Sequence, residues 1–374
     1  MIRSLRMENA VTIGSDGPDA VLAAYGWDSE IAARFAEVER AGTIPGRVVA
    51  EYRGAYDVVI PQGEVRAVIA GRLRRTGSAE ERPAVGDWVA LRVSPDQTIA
   101  LIEAILPRRS AFVRKAAGEN DRLQVIAANV DTVFIIDGLD HSPNLRRLER
   151  YLVVAFESGA RPVLALSKAD LCTDVATAVE AVRSIAGTTP VHAYSIITGE
   201  GLDAISRYLC PGTTIALIGP SGVGKSTLVN HFVGAPVQEV REVRPGDHRG
   251  RHTTTRRELF RLPSGALIID TPGLRELQIW DGATGLEEAF ADIEELADQC
   301  RFSDCSHTVE PGCAVLAAVA AGRLTRERLQ SYHRLRQEIA VTPRRDSRSF
   351  SPRGSRPISN SRAVQDGARP RPGR

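Results

Sequence analysis

Apolar positions change period three times along the chain. Over residues 11–41, Ala, Leu, Ile, Phe and Val recur at intervals of three and four, a spacing that predicts one amphipathic helix. From about residue 46 the period shortens toward two. Residues 47–52, 56–60, 64–70, 87–93 and 98–102 read as short strands punctuated by Gly and Pro. Five short strands so close together predict a small closed barrel, either a five-stranded OB-like barrel or an SH3-like one. After residue 122 apolar strands alternate with helical stretches: strand 132–136, helix 145–158, and strands 162–166, 191–194, 214–218 and 266–270. This alternation predicts a parallel sheet with crossover helices. From residue 287 the pattern is helical around a group of cysteines, and beyond residue 344 a stretch of Arg, Ser, Pro and Gly has no apolar period and is expected to be disordered. The expected organisation is a helical extension (1–45), a barrel (46–118), an α/β domain (119–283), a helical cysteine-bearing module (284–342) and an Arg-rich tail (343–374).

Composition narrows the class. With 374 residues, 43% of them hydrophobic and 25% charged, the chain has enough apolar material for two or three cores. No stretch approaches the roughly 18 apolar residues of a membrane span, and residues 1–17 lack the apolar segment of a secretory signal, so a cytoplasmic protein with no membrane partner is expected. The net charge of +2 conceals an asymmetry: residues 343–374 contain nine Arg and two Asp, which leaves the remaining 342 residues with 39 basic and 44 acidic side chains. A mildly acidic body argues against broad electrostatic attachment to nucleic acid outside the tail and local patches. Of 48 basic residues only Lys115, Lys168 and Lys225 are lysines, and two of these lie in motifs.

Gly219-Pro220-Ser221-Gly222-Val223-Gly224-Lys225-Ser226, followed by Thr227, fits the phosphate-loop pattern between an apolar strand and a helical stretch. Such a loop turns backbone N–H groups and a helix N-terminus toward phosphate oxygens, Lys225 reaches the terminal phosphates, and Ser226 can ligate magnesium. Asp270-Thr271-Pro272-Gly273 closes the apolar strand 266–270, where a carboxylate organises magnesium and Gly273 can offer its N–H to the terminal phosphate. Ser167-Lys168-Ala169-Asp170 follows another sheet strand. A carboxylate at Asp170 can accept from the ring N–H and exocyclic amine of guanine, donors that adenine lacks on that edge, while the lysine stem flanks the base.

These motifs occur in an unusual order, the base-recognition motif preceding the phosphate loop, as in a circularly permuted nucleotide domain. On these residues the chain resembles the RsgA family of circularly permuted GTPases, over most of its length from the barrel to about residue 339. The resemblance implies an OB-like barrel, a permuted P-loop GTPase domain and a C-terminal zinc module. It also implies hydrolysis of GTP to GDP and phosphate, slow alone and stimulated by the small ribosomal subunit, in late maturation of that subunit through contacts with its rRNA. By the same resemblance Gly250-Arg251-His252-Thr253-Thr254-Thr255 is the first switch, with Thr254 meeting magnesium and the terminal phosphate, and the loop from Ser195 to Gly201 backs the guanine. Two positions depart from common relatives. Ser167 replaces Asn or Thr and lacks the amide that reaches the base and the neighbouring loop, so weaker affinity is expected. Leu274 stands where many switch GTPases place a water-orienting glutamine, which leaves His252 as the candidate to orient that water.

The cysteine group is Cys300-x4-Cys305-x-His307-x5-Cys313, three thiolates and an imidazole suited to one tetrahedral structural zinc with no open position. Cys172 and Cys210 read as core residues. Bound GTP or GDP, Mg2+ and a monomeric chain complete the expectation. Three readings compete with it: an ATP-using P-loop enzyme, a nucleotide-gated RNA-binding scaffold whose turnover is incidental, and another permuted GTPase of ribosome assembly. The first has no use for Asp170, and the last must account for both barrel and cysteine module.

Overall fold

The computed structural model describes residues 18–52, 54–71, 73, 82–93, 99–115, 123–234, 257–270 and 283–341. The first 17 residues and the Arg-rich tail lie outside this set. The single N-terminal helix expected over 11–41 is, within the described residues, two helices, α1 (Pro18–Ala23) and α2 (Ser29–Val38). The break is at Gly26, whose φ of 86° is left-handed and where a Cβ would strike the Gly212 carbonyl. Asp28 then starts α2 by accepting from the Ile31 amide at 2.9 Å. Apolar periodicity continues across the turn, which is why the sequence pattern alone joins the two pieces.

Five strands form the barrel: β1 (Ile44–Glu51), β2 (Tyr56–Ile60), β3 (Gly63–Ile69), β4 (Trp88–Arg92) and β5 (Ile99–Ile105). Pairing runs β1-β2-β3-β5-β4 and closes through β4 and β1, with β3 and β5 parallel and the other pairs antiparallel. Closure removes the sheet edges and fills the interior with Val48, Val58, Val89, Leu91 and Ile102, all fully buried. Trp27 from the turn between the N-terminal helices and Phe35 of α2 pack edge-on in this region, Trp27 lying 5.0 Å from Trp88 and 6.0 Å from Phe35 between ring centroids. A hairpin of β6 (Ala111–Lys115) and β7 (Leu123–Ala128), absent from the sequence reading, follows the barrel. The expected division at 118/119 falls between its two strands.

The second half of the chain adds β8 (Thr132–Gly138), α3 (Leu145–Ser158), β9 (Arg161–Ser167), α4 (Val175–Ala186), β10 (Val191–Ala193), α5 (Leu202–Ser206), β11 (Thr214–Ile218), α6 (Lys225–Val233), β12 (Arg257–Arg261) and β13 (Leu267–Asp270). The order is β10-β9-β8-β11-β13-β12, parallel except for β12, which runs antiparallel to β13. Residues 133–136 and 163–166 are buried without interruption, because helices cover both faces of the sheet. β1 pairs with β12 as well, Ala50 opposite Glu258 and Glu51 opposite Arg257, so barrel and nucleotide sheet form one run of eleven strands.

Arg47, on β1 and 2% exposed, fixes this junction. Its guanidinium donates to the carbonyls of Tyr25 in the N-terminal turn, Gly86 in the barrel and Asn129 after β7, and to Thr214 Oγ1 at the start of β11 at 2.7 Å. It also lies 5.1 Å from the Trp88 ring centroid, and burial pushes its pKa down to about 10. Beyond the sheet, α7 (Ala283–Ala289), α8 (Ala291–Ala297), α9 (Ala314–Ala320) and α10 (Arg326–Val341) form a C-terminal helical module. Its anchor is Arg328, which joins Glu149 of α3 at 2.8 Å and Asp292 at 2.8 Å over the Phe290 ring.

Replacing Arg47 with Met is expected to lower unfolding stability by about 2–4 kcal/mol, because several buried carbonyls lose their donor at once. Arg47→Lys is expected to recover little, since one ammonium cannot reach four directions. Chemical denaturation of both variants measures this.

Candidate functional site

The parallel strands β8, β9, β10, β11 and β13 end on one edge of the sheet, and Ser167 to Asp170, the loop from Ser195, the phosphate loop and Asp270 stand at the ends of β9, β10, β11 and β13. Ligands of open α/β sheets bind at such an edge. At the end of β11, Gly219 takes φ 145°, and a Cβ there would collide with the Ile136 carbonyl of β8, so the loop lies directly on its neighbouring strand. Gly222 and Gly224 also take positive φ, and α6 opens at Lys225. The Lys225 ammonium is buried and donates to the Gly219 and Pro220 carbonyls at 2.7 and 2.5 Å, which holds its charge at the mouth of the loop. Ser221 and Gly222 are exposed, Val223 is buried in the core beneath, and Ser226 and Thr227 lie in the first turn of α6.

Ser167 closes β9. Its hydroxyl donates to the Val223 carbonyl of the phosphate loop at 2.7 Å and lies 3.2 Å from the Asp137 carbonyl of β8. The expected loss of a link between the base motif and the neighbouring loop is therefore corrected: serine keeps that link through its hydroxyl, because the two backbones approach closely. Lys168 has the left-handed φ of 59°, rare for a residue with a side chain, and Ala169 and Asp170 continue in a short 3-10 turn up to Leu171. The Ala169 amide bonds to the Tyr194 carbonyl at 3.1 Å, fastening this turn to the end of β10.

Ser195, fully buried, donates to Asp170 Oδ1 at 2.5 Å and accepts from the amides of Ile197 and Thr198 at 3.1 and 3.2 Å. The bond fixes the orientation of an exposed carboxylate. A carboxylate has about four lone-pair positions, so Asp170 can accept two further donors. Two bonds thus hold the Ser167 to Asp170 turn, Ser167 to the Val223 carbonyl at its start and Ser195 to the Asp170 carboxylate at its end. The sequence pattern identified these residues separately and left their mutual contacts undetermined.

The switch residues are only partly within the described set. Asp270 ends β13 opposite Glu258, which places its backbone at the motif edge. The Asp270 side chain, and His252, Thr254, Gly273 and Leu274 altogether, lie outside the described residues. β12 runs antiparallel to β13, so it begins at the edge where β13 ends, and the chain carrying His252 and Thr254 joins the fold there. Arg257, its first residue, pairs with Glu51 of the barrel at 2.7 Å.

The cysteine group converges as its spacing predicts. Donor atoms of Cys300, Cys305, His307 and Cys313 all lie within 4.8 Å of one another, and all four residues are buried. Cys300 Sγ is 3.9 Å from Cys313 Sγ and 3.6 Å from His307 Nδ1, while Cys313 Sγ is 3.5 Å from that nitrogen. A tetrahedral zinc with bonds of about 2.3 Å to sulfur sets ligand separations of about 3.8 Å, so the donor set fits zinc. Burial lowers the His307 pKa and favours the neutral ligating imidazole, whereas burial drives Cys305 up to about 11 when no cation faces it. The Ala314 and Leu316 amides point at Cys300 and Cys313 Sγ at 3.3 and 3.4 Å, the outer contacts that steady thiolates. No helix among the described residues is long and apolar enough to cross a membrane.

A phosphate loop and a guanine motif on one sheet edge, the guanine motif first in sequence, define a circularly permuted P-loop GTPase. The family model described as RsgA GTPase matches residues 105–280. The chain is 46% identical over 315 residues to the small ribosomal subunit biogenesis GTPase RsgA of Methanosarcina acetivorans, covering 84% of each chain. It is also 46% identical over 334 residues to the protein of the same name from Opitutus terrae, covering 87% of this chain and 91% of that one. Among solved structures it is similar to YjeQ from Thermotoga maritima, with a TM-score of 0.60 and 28% identity over 81% of this chain and 100% of that one. It is likewise similar to YloQ, described as a circularly permuted GTPase, with a TM-score of 0.58 and 25% identity over 81% and 97%. The chain belongs to the RsgA GTPase family.

Cys305→Ser is expected to reduce bound zinc measured by elemental analysis and to speed amide exchange in α8 and α9, while amides of β8 and β9 keep their protection. Treatment of the unmodified protein with a strong chelator is expected to give the same exchange pattern.

Proposed function

We propose that this GTPase hydrolyses GTP to GDP and phosphate slowly on its own and faster on the small ribosomal subunit, and that it acts in late maturation of that subunit. The observation that supports guanine over adenine most directly is the Ser195-to-Asp170 bond, which orients a carboxylate beside a loop already tied to the phosphate site through Ser167. The partner follows from the relatives, which carry small ribosomal subunit biogenesis in their names.

In this reading Asp170 accepts from guanine, Lys168 and Ala169 line the base, and Ser195 backs it. The backbone from Gly219 through Pro220, Ser221, Gly222, Val223 and Gly224 cradles the phosphates, and Lys225 exchanges carbonyl partners for the terminal phosphates. Thr227 completes the first turn of α6. Ser226 and Thr254 would ligate Mg2+ and Asp270 would organise it, and the Gly273 amide would meet the terminal phosphate. Hydrolysis proceeds by in-line attack of water with no covalent intermediate, and charge on the transferred phosphoryl group is stabilised by Lys225 and the α6 N-terminus, to which a bound Mg2+ would add further charge neutralisation. Leu274 cannot orient the water, so His252 takes that role, and docking on the subunit speeds the step.

We further assign one structural zinc per chain to Cys300, Cys305, His307 and Cys313. Contacts with rRNA fall to the barrel, the zinc module and local basic patches, the chain works as a cytoplasmic monomer, and its divisions follow the order expected from the sequence, with the barrel boundary moved out of the β6–β7 hairpin. Loss of the terminal phosphate releases the two switch segments, one entering β12 beside the Glu51–Arg257 pair and the other leaving β13.

Steady-state turnover of GTP and ATP, each with and without small ribosomal subunits, is the test. GTP-selective turnover that rises with subunits is expected; equal use of ATP, or indifference to subunits, contradicts the reading. Asp170→Asn is expected to shift preference from GTP toward the xanthine nucleotide by at least tenfold, because an amide donor then faces the C2 carbonyl of xanthine. Competition binding measures that shift.

A further inference from the structure

Beside the proposed guanine-binding turn lies a segment that no motif marks. Between β8 and α3, residues 138–144 are held by Asp137, whose buried carboxylate accepts from the Gly138 amide at 3.1 Å, the Asn144 amide at 3.2 Å and Arg147 Nη2 at 2.8 Å. The Leu139 amide donates to the Ser167 carbonyl at 2.8 Å, so this loop is stitched to the start of the base motif. A Cβ at Gly138 would crowd Asp140 Oδ1 and come within 3.7 Å of Lys168 Cδ, so glycine brings the loop and the lysine stem side by side. There Asp140 Oδ2 lies 2.7 Å from Lys168 Nζ, with the two side chains 36% and 31% exposed. The ammonium holds the Asp140 carboxyl below the usual carboxylate range.

We propose that Asp140 is a positioning residue for guanine-nucleotide binding, anchoring the tip of Lys168 so that its methylene stem is already laid along the base site before nucleotide arrives. The inference rests on the reading of Lys168 and Asp170 as the guanine pocket. The physical case is one of pre-organisation. A lysine stem has four freely rotating bonds, and burying it against a ligand costs rotamer entropy that a fixed tip has already removed. The left-handed backbone at Lys168 sets the direction of the stem, and Asp140 sets its end. Lysine suits this arrangement because its flexible stem and compact charge need one point anchor, in a chain that otherwise uses Arg.

The experiment is GDP binding by the full chain, with affinity and release rate measured by a fluorescent GDP analogue and checked by calorimetry with GDP itself. Asp140→Ala is expected to weaken binding about threefold, the size of one partly exposed ion pair, mainly through faster release. Asp140→Glu is expected to restore most of the loss. Inosine diphosphate, which lacks the exocyclic amine read by Asp170, is expected to suffer the same factor, because Asp140 acts through Lys168. In a Lys168→Met background, Asp140→Ala is expected to have no further effect, an outcome that a merely structural role would not produce. Thermal midpoints of the Asp140 variants should match that of the parent. Unchanged GDP affinity in Asp140→Ala, or an undiminished effect in the Lys168→Met background, overturns the proposal while the pocket reading stands, provided Asp170→Asn still loses GDP. If Asp170→Asn retains full GDP affinity, the pocket reading itself fails and takes the proposal with it.

Discussion

The buried guanidinium of Arg47 is the contact on which the relation between the two halves of the molecule depends. It sits on a barrel strand and reaches carbonyls in the N-terminal turn, the barrel and the segment after β7, and the Thr214 hydroxyl that opens the phosphate-loop strand. A full charge in such a place is tolerated only because each face of the guanidinium finds an oxygen and an indole ring lies beside it. The Thr214 amide is bound in turn to Asp131 Oδ2 at 2.7 Å, so the start of β11 is pinned from two directions. The opposite end of that strand delivers Gly219 to the nucleotide edge. β1 continues the constraint by pairing with β12, and the Glu51–Arg257 ion pair lies at the first residue of that strand, at the nucleotide edge.

A second junction works on the same physical basis at the other face. Arg328 of α10 is buried between Glu149 and Asp292, donates to the Ala289 carbonyl and lies over the Phe290 ring, 4.0 Å from its centroid. Ser331 donates to the second oxygen of Glu149, and Arg150 meets Glu338 through two bonds of 2.6 and 2.7 Å. All of these partners on the nucleotide side belong to α3. The same helix begins at Asn144 and Arg147, which the Asp137 carboxylate ties to the end of β8, next to the Leu139 amide that donates to the Ser167 carbonyl. One helix therefore carries the C-terminal module on its length and braces the sheet edge that bears the proposed guanine site at its start.

What was readable in the sequence was local chemistry. The phosphate loop, Ser167 to Asp170 and the cysteine group each occupy a short stretch whose spacing dictates its geometry, and the structure brings each set together. The barrel strands were legible because their apolar periods are short and punctuated. The break at Gly26 was hidden because helical spacing resumes in phase after it, and β12, Arg-Glu-Leu-Phe-Arg, was missed because only its two central residues are apolar. Contacts between distant segments left no signal. Arg47 looks like any arginine in a half-polar strand, and nothing in the sequence near Ser167 marks the Val223 carbonyl that its hydroxyl reaches. Both depend on which backbones meet, which a one-dimensional pattern does not encode.

The central claim is that barrel and nucleotide sheet form one cooperative unit through β1 and Arg47. It is tested most directly by denaturant unfolding of a Trp280→Phe protein, leaving Trp27 and Trp88 to report the barrel junction while release of a fluorescent GDP analogue reports the nucleotide site. Coincident midpoints for the two signals are predicted at saturating nucleotide. A barrel signal that is lost while nucleotide stays bound, or the reverse, would contradict the account and make the two halves independent folding units.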